Sequence, residues 1–166
     1  MEAGVRNCLD ISSGAGRKSV SICLDHSAMR SWPLNVEYHY HQAGFTRRSW
    51  QSWFDLGSTV EAPPGTADEL WYVRAYANDQ QEPMSRHQIF VRASWPRALV
   101  SDLGLGGFAV VDVHDGSTLA QVMVSYYLSY RWTFTAYGSM NAGAPRSERG
   151  SLPQFAGAVL ELIAYF

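Results

Sequence analysis

Residues 106–137 read GGFAVVDVHDGSTLAQVMVSYYLSYRWTFTAY, and this stretch constrains the fold more tightly than any other part of the chain. Two apolar, β-branched runs, 108–113 and 119–124, flank His114-Asp115-Gly116-Ser117. Asp-Gly between such runs signals a hairpin, because the tight turn needs a positive φ that glycine adopts without a Cβ clash. A burst of rings follows at once: Tyr126, Tyr127, Tyr130, Trp132, Phe134 and Tyr137. A hairpin that ends in rings reads as a scaffold presenting a binding surface.

The same rhythm runs through the rest of the chain. Strand-like segments are expected near 6–11, 18–25, 34–41, 50–56, 69–76, 88–94, 107–113, 119–125, 132–137 and 158–165. Gly-, Pro- and Ser-rich breaks separate them, among them Ser31-Trp32-Pro33, Ala62-Pro63-Pro64-Gly65, Glu82-Pro83 and Trp95-Pro96. Even spacing of this kind predicts an all-β chain, a compact β-sandwich of about ten strands in one domain spanning residues 1–166. At most one or two short helices are expected, with one or two helical turns at 97–103. Segment 155–166 satisfies both a helical and an alternating period, and a terminal strand is the expectation.

Composition narrows the function classes. Hydrophobic residues make up 46% and charged residues 17% of 166, which is a globular balance rather than a disordered one. A net charge of −2 argues against capture by nucleic acid. No apolar run approaches the roughly 20 residues that a membrane-crossing helix needs. The start, MEAGVRNCLDISSGAG, lacks the basic and apolar regions of a signal peptide. The expectation is therefore a protein made in the cytosol, or secreted with its leader already removed. Cys8 and Cys23 are the only thiols, too few for a disulfide scaffold, and whether they bond is left open.

Catalytic and metal motifs are sparse. Tyr38-His39-Tyr40-His41 places His39 and His41 on one face of a strand, an arrangement that can hold a metal when a carboxylate completes it. Gln42, Ala43, Gly44 and Phe45 follow where that carboxylate would be needed. Half-exposed strand histidines are the plainer reading, with a small metal-dependent β-barrel enzyme as the alternative. No nucleophile elbow is present, so no catalytic residue, cofactor or metal is expected. More suggestive is the run Phe45 to Phe54, in which Arg47 and Arg48 adjoin Trp50 and Trp53. On a strand those tryptophans point to opposite faces, one to the core and one to a ligand. Exposed rings beside arginines suit a phosphate, a choline cage or a stacked sugar.

Two blocks of the chain resemble the actinoporin-type cytolysin superfamily, whose structural neighbours include aegerolysins and fungal fruit-body lectins. The first is Gly16-Arg17-Lys18-Ser19-Val20-Ser21-Ile22-Cys23-Leu24-Asp25 running on to Trp32-Pro33-Leu34-Asn35-Val36-Glu37-Tyr38. The second is Gly107-Phe108-Ala109-Val110 with Asp115-Gly116-Ser117-Thr118-Leu119-Ala120 and Met123-Val124-Ser125, followed by Tyr130-Arg131-Trp132. The resemblance implies a β-sandwich that binds phosphocholine headgroups. By position it makes Ser125 the headgroup serine, Tyr130 a headgroup tyrosine and Trp132 an interfacial ring. The family's proline after that serine is replaced here by Tyr126-Tyr127, and the N-terminal segment lacks an apolar helical face. Surface binding without insertion is the form of the activity expected.

The expected site is thus Ser125, Tyr126, Tyr127, Tyr130, Arg131 and Trp132, with Arg47, Arg48, Trp50 and Trp53 contributing. Its partner is a lipid headgroup at a membrane surface or, alternatively, a glycan bound in lectin fashion. Peripheral membrane association, as a toxin or defence protein and with a homo-oligomer or partner protein, completes the expectation.

Overall fold

The computed structural model describes residues 8–14, 17–24, 34–59, 63–79 and 84–166. Ten elements follow one another: β1 (Cys8–Gly14), β2 (Arg17–Leu24), β3 (Leu34–His41), α1 (Arg47–Ser58), α2 (Thr66–Asp79), β4 (His87–Trp95), β5 (Leu103–Asp112), β6 (Thr118–Ser129), β7 (Trp132–Ala142) and β8 (Ala156–Ala164). The strands form one antiparallel sheet in the order β1 to β8, each paired with its neighbours in sequence. Fold class is therefore mostly β, with two helices set into the β3–β4 connection.

The expected hairpin is present. Asp112 Oδ1 accepts from the backbone N–H groups of His114 at 2.5 Å and Asp115 at 3.2 Å, and Asp115 Oδ1 accepts from Ser117 N–H at 2.7 Å. Gly116 sits at φ 71°, where a side chain would be strained. Segment 155–166 supplies a strand, β8, as expected.

Three expectations are corrected. No second layer of strands exists among the described residues: eight strands lie in a single sheet instead of about ten in a sandwich. A sandwich needs connections that cross between sheets, whereas here each strand turns back onto the one before it. Segments 50–56 and 69–76 are helical, not extended. Trp50, Trp53 and Phe54 recur at i, i+3 and i+4, so on a helix their rings share a face and touch. Centroids lie 5.6 Å apart for Trp50–Trp53 and 5.7 Å for Trp50–Phe54. Thr46 caps α1 by accepting from Ser49 N–H at 3.2 Å, and Asp68 and Glu69 occupy the first turn of α2, where the helix dipole favours anions. Finally, 97–103 makes turns rather than helix, closed by Ala98 N–H donating to Leu103 O at 2.8 Å.

The expected strand ends at Arg6 and Asp25 and the turn Ser31-Trp32-Pro33 lie outside the described residues, as do the breaks at Ala62 and Glu82-Pro83. The register sets Cys8 opposite Cys23 on β1 and β2.

A meander of this kind has two unlike ends. The helical connection, the β5–β6 turn and the 143–155 connection share one end. The short turns 96–102 and 130–131 share the other. Twelve residues of β6 separate them, roughly 40 Å of strand. Burial is the reverse of a water-facing domain. Among the described residues the buried apolar side chains are Trp50 and Ala98 alone, whereas Arg74, Ser85, Gln88, Asp112, Ser117, Thr133, Thr135, Ser147 and Glu148 are all buried.

Candidate functional site

Strand alternation and register together assign every side chain of β3–β8 to one of two faces. Tyr38 pairs with Ile89, Ile89 with Val111, Val111 with Thr118, Thr118 with Ala142, and Leu105 with Val124 and then Ala136 and Leu160. Following those rows, one face carries Val36, Tyr38, Ile89, Val91, Ala109, Val122, Val124, Phe134, Met140, Leu160 and Leu162. The opposite face carries Glu37, His39, Gln88, Arg92, Asp112, Gln121, Thr133, Thr135, Asn141 and Glu161, interspersed with Phe90, Phe108, Val110, Leu119, Met123, Tyr137, Val159 and Ile163. All four carboxylates and guanidinium groups of these six strands, Glu37, Arg92, Asp112 and Glu161, fall on the second face. Apart from the hydroxyl and indole groups of its rings, the first bears only His87 and Thr118 as polar groups, both at the helical end.

Exposure runs against chemistry. On the apolar face Val122 is 59% exposed and Leu160 72%, with Met140 and Leu162 also open. On the polar face Thr135 is 5% exposed and Asp112 2%. Rings mark both margins of the apolar face. Tyr38 and Tyr40 lie toward the helical end, and Trp95, Tyr126 and Trp132 toward the short-turn end, with aliphatic residues between.

At the helical end a polar cluster joins helices to sheet. Glu148, 4% exposed, accepts through Oε2 from the Ser85 hydroxyl. Ser85 in turn accepts from the Trp50 indole N–H at 2.9 Å, and Glu148 N–H donates to Asp115 Oδ2 at 2.7 Å. Arg74 on α2 donates to the Glu148 carbonyl and to Ser151 Oγ, the latter at 2.9 Å, and Arg149 approaches Glu148 Oε1 at 3.4 Å. Burial, and after it the neighbouring Asp112 carboxyl, raise the Glu148 carboxyl from its ordinary value, against the pull of Arg149 and the Ser85 hydroxyl. Burial likewise lowers the Arg74 guanidinium, which the Glu148 charge offsets. A bulkier residue than Gly143 would press into Ser117 Cβ at 2.8 Å, so the 143–155 connection lies tightly on the β5–β6 turn.

Two cavities adjoin this cluster. One, of about 250 Å³, is lined by Trp71, Arg74, Glu148 and Arg149 with Ala75, Met84 and Leu152. The other, of about 290 Å³, shares Trp71 and Arg74 and is bounded by Trp53, Leu70 and Pro145. The Trp53 indole N–H is buried without an acceptor among the described residues.

The residues expected to bind ligand divide between the two ends. Tyr130 and Arg131 form the β6–β7 turn, with the Arg131 guanidinium carbon 5.1 Å from the Tyr130 ring centroid and Tyr130 86% exposed. Ser125 and Tyr127 lie on the polar face, while Tyr126 and Trp132 lie on the apolar one. Arg47 and Arg48 are exposed on α1 at the far end of the sheet, next to the buried Trp50 and the half-buried Trp53. The ring expected to meet ligand through opposite strand faces is instead a helix residue facing its neighbour. A single site therefore does not unite the two groups.

His39 Nε2 lies 2.8 Å from Glu37 Oε2, and the His39 ring stacks on Phe90. Among the described residues no three His, Cys, Asp or Glu side chains are placed to hold a metal ion. No helix among them is long and apolar enough to cross a membrane, which says nothing about crossing by strands. The buried cluster had no local signature: Ser85 and Glu148 are 63 residues apart. Neither a protein-family model nor a curated protein nor a solved structure matches this chain.

Proposed function

We propose that this chain is wall material of a transmembrane β-barrel, with the apolar face of the sheet against lipid and the polar face against an aqueous interior. One observation carries the reading. Every charged side chain of β3–β8 is on one face, and the other is apolar yet open. A sheet in water buries its apolar face and wets the polar one; a sheet in a bilayer does the opposite. Five strands have the length for it: β4–β8 have 9, 10, 12, 11 and 9 residues, against the roughly 9–11 that a tilted strand needs to cross, while β1, β2 and β3 have 7, 8 and 8. The margins of rings at both ends of the apolar face are where amphipathic aromatics gain most, one side in hydrocarbon and the other at headgroups.

Lipid contact expected from the sequence is thereby kept and moved. Trp132 and Tyr126 meet the interface from the strands, and Tyr130 and Arg131 meet headgroups from the turn, where the guanidinium suits phosphate. The actinoporin-type resemblance shares contact with lipid but not this architecture. Backbone groups of an unpaired edge are costly in hydrocarbon, so β1 and β8 pair when inserted. They run in opposite directions, as antiparallel closure requires.

The test is refolding of the full chain into phosphatidylcholine vesicles, followed by alkaline carbonate extraction and protease digestion. The chain is expected to resist extraction, and Val122→Arg is expected to abolish that resistance while Gln121→Arg keeps it. Release of the parent chain by carbonate, or equal behaviour of the two variants, overturns the reading. Release combined with sphingomyelin-dependent pelleting would point to peripheral binding instead.

A further inference from the structure

We propose that the cavity between α2 and the 143–155 connection binds a small organic anion, its apolar ring on Trp71 and its carboxylate toward Arg149 and Arg74. This goes beyond the membrane reading and does not rest on it. The cavity measures about 250 Å³. An apolar cavity of about 150 Å³ accommodates benzene, so one ring with a carboxylate fits here.

Charge selects the sign of the ligand. Two guanidinium groups and one carboxyl line the space, and that carboxyl is already committed: its Oε2 to the Ser85 hydroxyl and its Oε1 to Arg149. Arg74 spends its terminal nitrogens on Ser151 and the Glu148 carbonyl, which fixes it as a buried positive wall. Arg149 is the partly exposed one, with only a 3.4 Å contact to Glu148. A cation would meet both guanidinium groups, and a neutral ring would gain nothing from their charge. Charge-assisted, forked contact with a carboxylate is the geometry a guanidinium rewards most.

The body of the ligand has its own surface. Trp71 is 44% exposed, and the Arg74 guanidinium carbon lies 5.5 Å from its ring centroid on the shared wall. Ala75, Met84 and Leu152 complete an apolar lining. A flat aromatic body answers that lining.

The experiment is calorimetric titration of the full chain, held in nonionic detergent, with benzoate, benzyl alcohol and benzylammonium. Saturable benzoate binding is expected, with benzyl alcohol about tenfold weaker or more and no saturation by benzylammonium. Arg149→Gln is expected to bring benzoate down to the level of benzyl alcohol, and Trp71→Leu to weaken both. Equal affinity for benzoate and benzyl alcohol, benzoate binding untouched by either substitution, or no saturable benzoate binding overturns the proposal. Detergent replaces the bilayer in this measurement, so its failure and a failure of vesicle insertion are separate results.

Discussion

The two faces of the sheet are made from the same strands, yet they obey opposite rules. Over β3–β8 the face of Val122 and Leu160 carries no carboxylate or guanidinium and is open along β6–β8, while the opposite face carries all four and buries Asp112 and Thr135, with Arg92 and Glu161 left exposed. Burying an aliphatic side chain is worth roughly 1.5–3 kcal/mol. Leaving Val122, Met140, Leu160 and Leu162 largely in water would forfeit on the order of 5 kcal/mol, comparable to the whole net stability of many domains. Such a face needs an apolar neighbour, and in the proposed reading that neighbour is a bilayer, with the rings at its margins. What the difference teaches is that hydrophobic content alone does not identify the inside of a sheet.

The sharpest way to break this comparison is at adjacent residues of β8. Leu160→Arg is expected to cost about 2–4 kcal/mol of insertion free energy, because the charge is forced into hydrocarbon. Glu161→Gln, one position away and on the other face, is expected to change it by less than about 0.5 kcal/mol. Urea-driven refolding into vesicles measures both, and equal costs would erase the distinction between faces.

On the polar face the stabilising contacts are hydrogen bonds, so their loss is the next largest effect. Asp112→Ala leaves the His114 and Asp115 N–H groups without their acceptor and is expected to cost about 1–3 kcal/mol. Hydrogen exchange at the β5–β6 turn should report it, with the short-turn end unchanged. Rings offer a finer comparison. Trp132→Ala should weaken insertion by roughly 1 kcal/mol, whereas Tyr127→Ala on the polar face should not. A larger effect from Tyr127 would reverse the assignment of faces.

The smallest effect is a pH dependence at the helical end. Glu148 has its carboxyl pKa raised by burial, so the folded state holds its proton more tightly than the unfolded chain does. That preference is fully present below the unfolded carboxylate range and is lost as pH rises through the raised value. Docking of the 143–155 connection, followed by proteolysis, should therefore be firmer in mild acid than at neutral pH. Glu148→Gln should flatten the profile; a parent chain equally resistant across that range would remove Glu148 as its cause.

Much of the sheet was legible because alternation is a local property. Strand β3 matches the expected 34–41 residue for residue, and the Asp-Gly turn lies where its chemistry places it. Helices α1 and α2 were misread since Trp, Tyr and Val are favoured in strands; the i, i+3, i+4 recurrence of Trp50, Trp53 and Phe54 was the signal against that preference. Alternation also cannot say which face meets water. Ser125, Tyr126 and Trp132 are expected to share one ligand, a headgroup or a glycan, yet Ser125 lies on the opposite face of the sheet from Tyr126 and Trp132. As for Glu148, Ser85 and Arg74, their meeting depends on two connections folding onto one another, and no spacing in the chain announces it.

The stem of the helical connection has a further consequence. Phe45 and Ser85 form a parallel bridge, with Phe45 N–H donating to Met84 O at 2.6 Å and Arg86 N–H to Phe45 O at 3.0 Å. Departure and return of some forty residues thus occur at a single pinched point. Whatever hangs from that point leaves and rejoins the sheet at neighbouring residues, so the register of β3 on β4 does not depend on its length. A chain built this way can vary the length of its helical end while its strands keep their register.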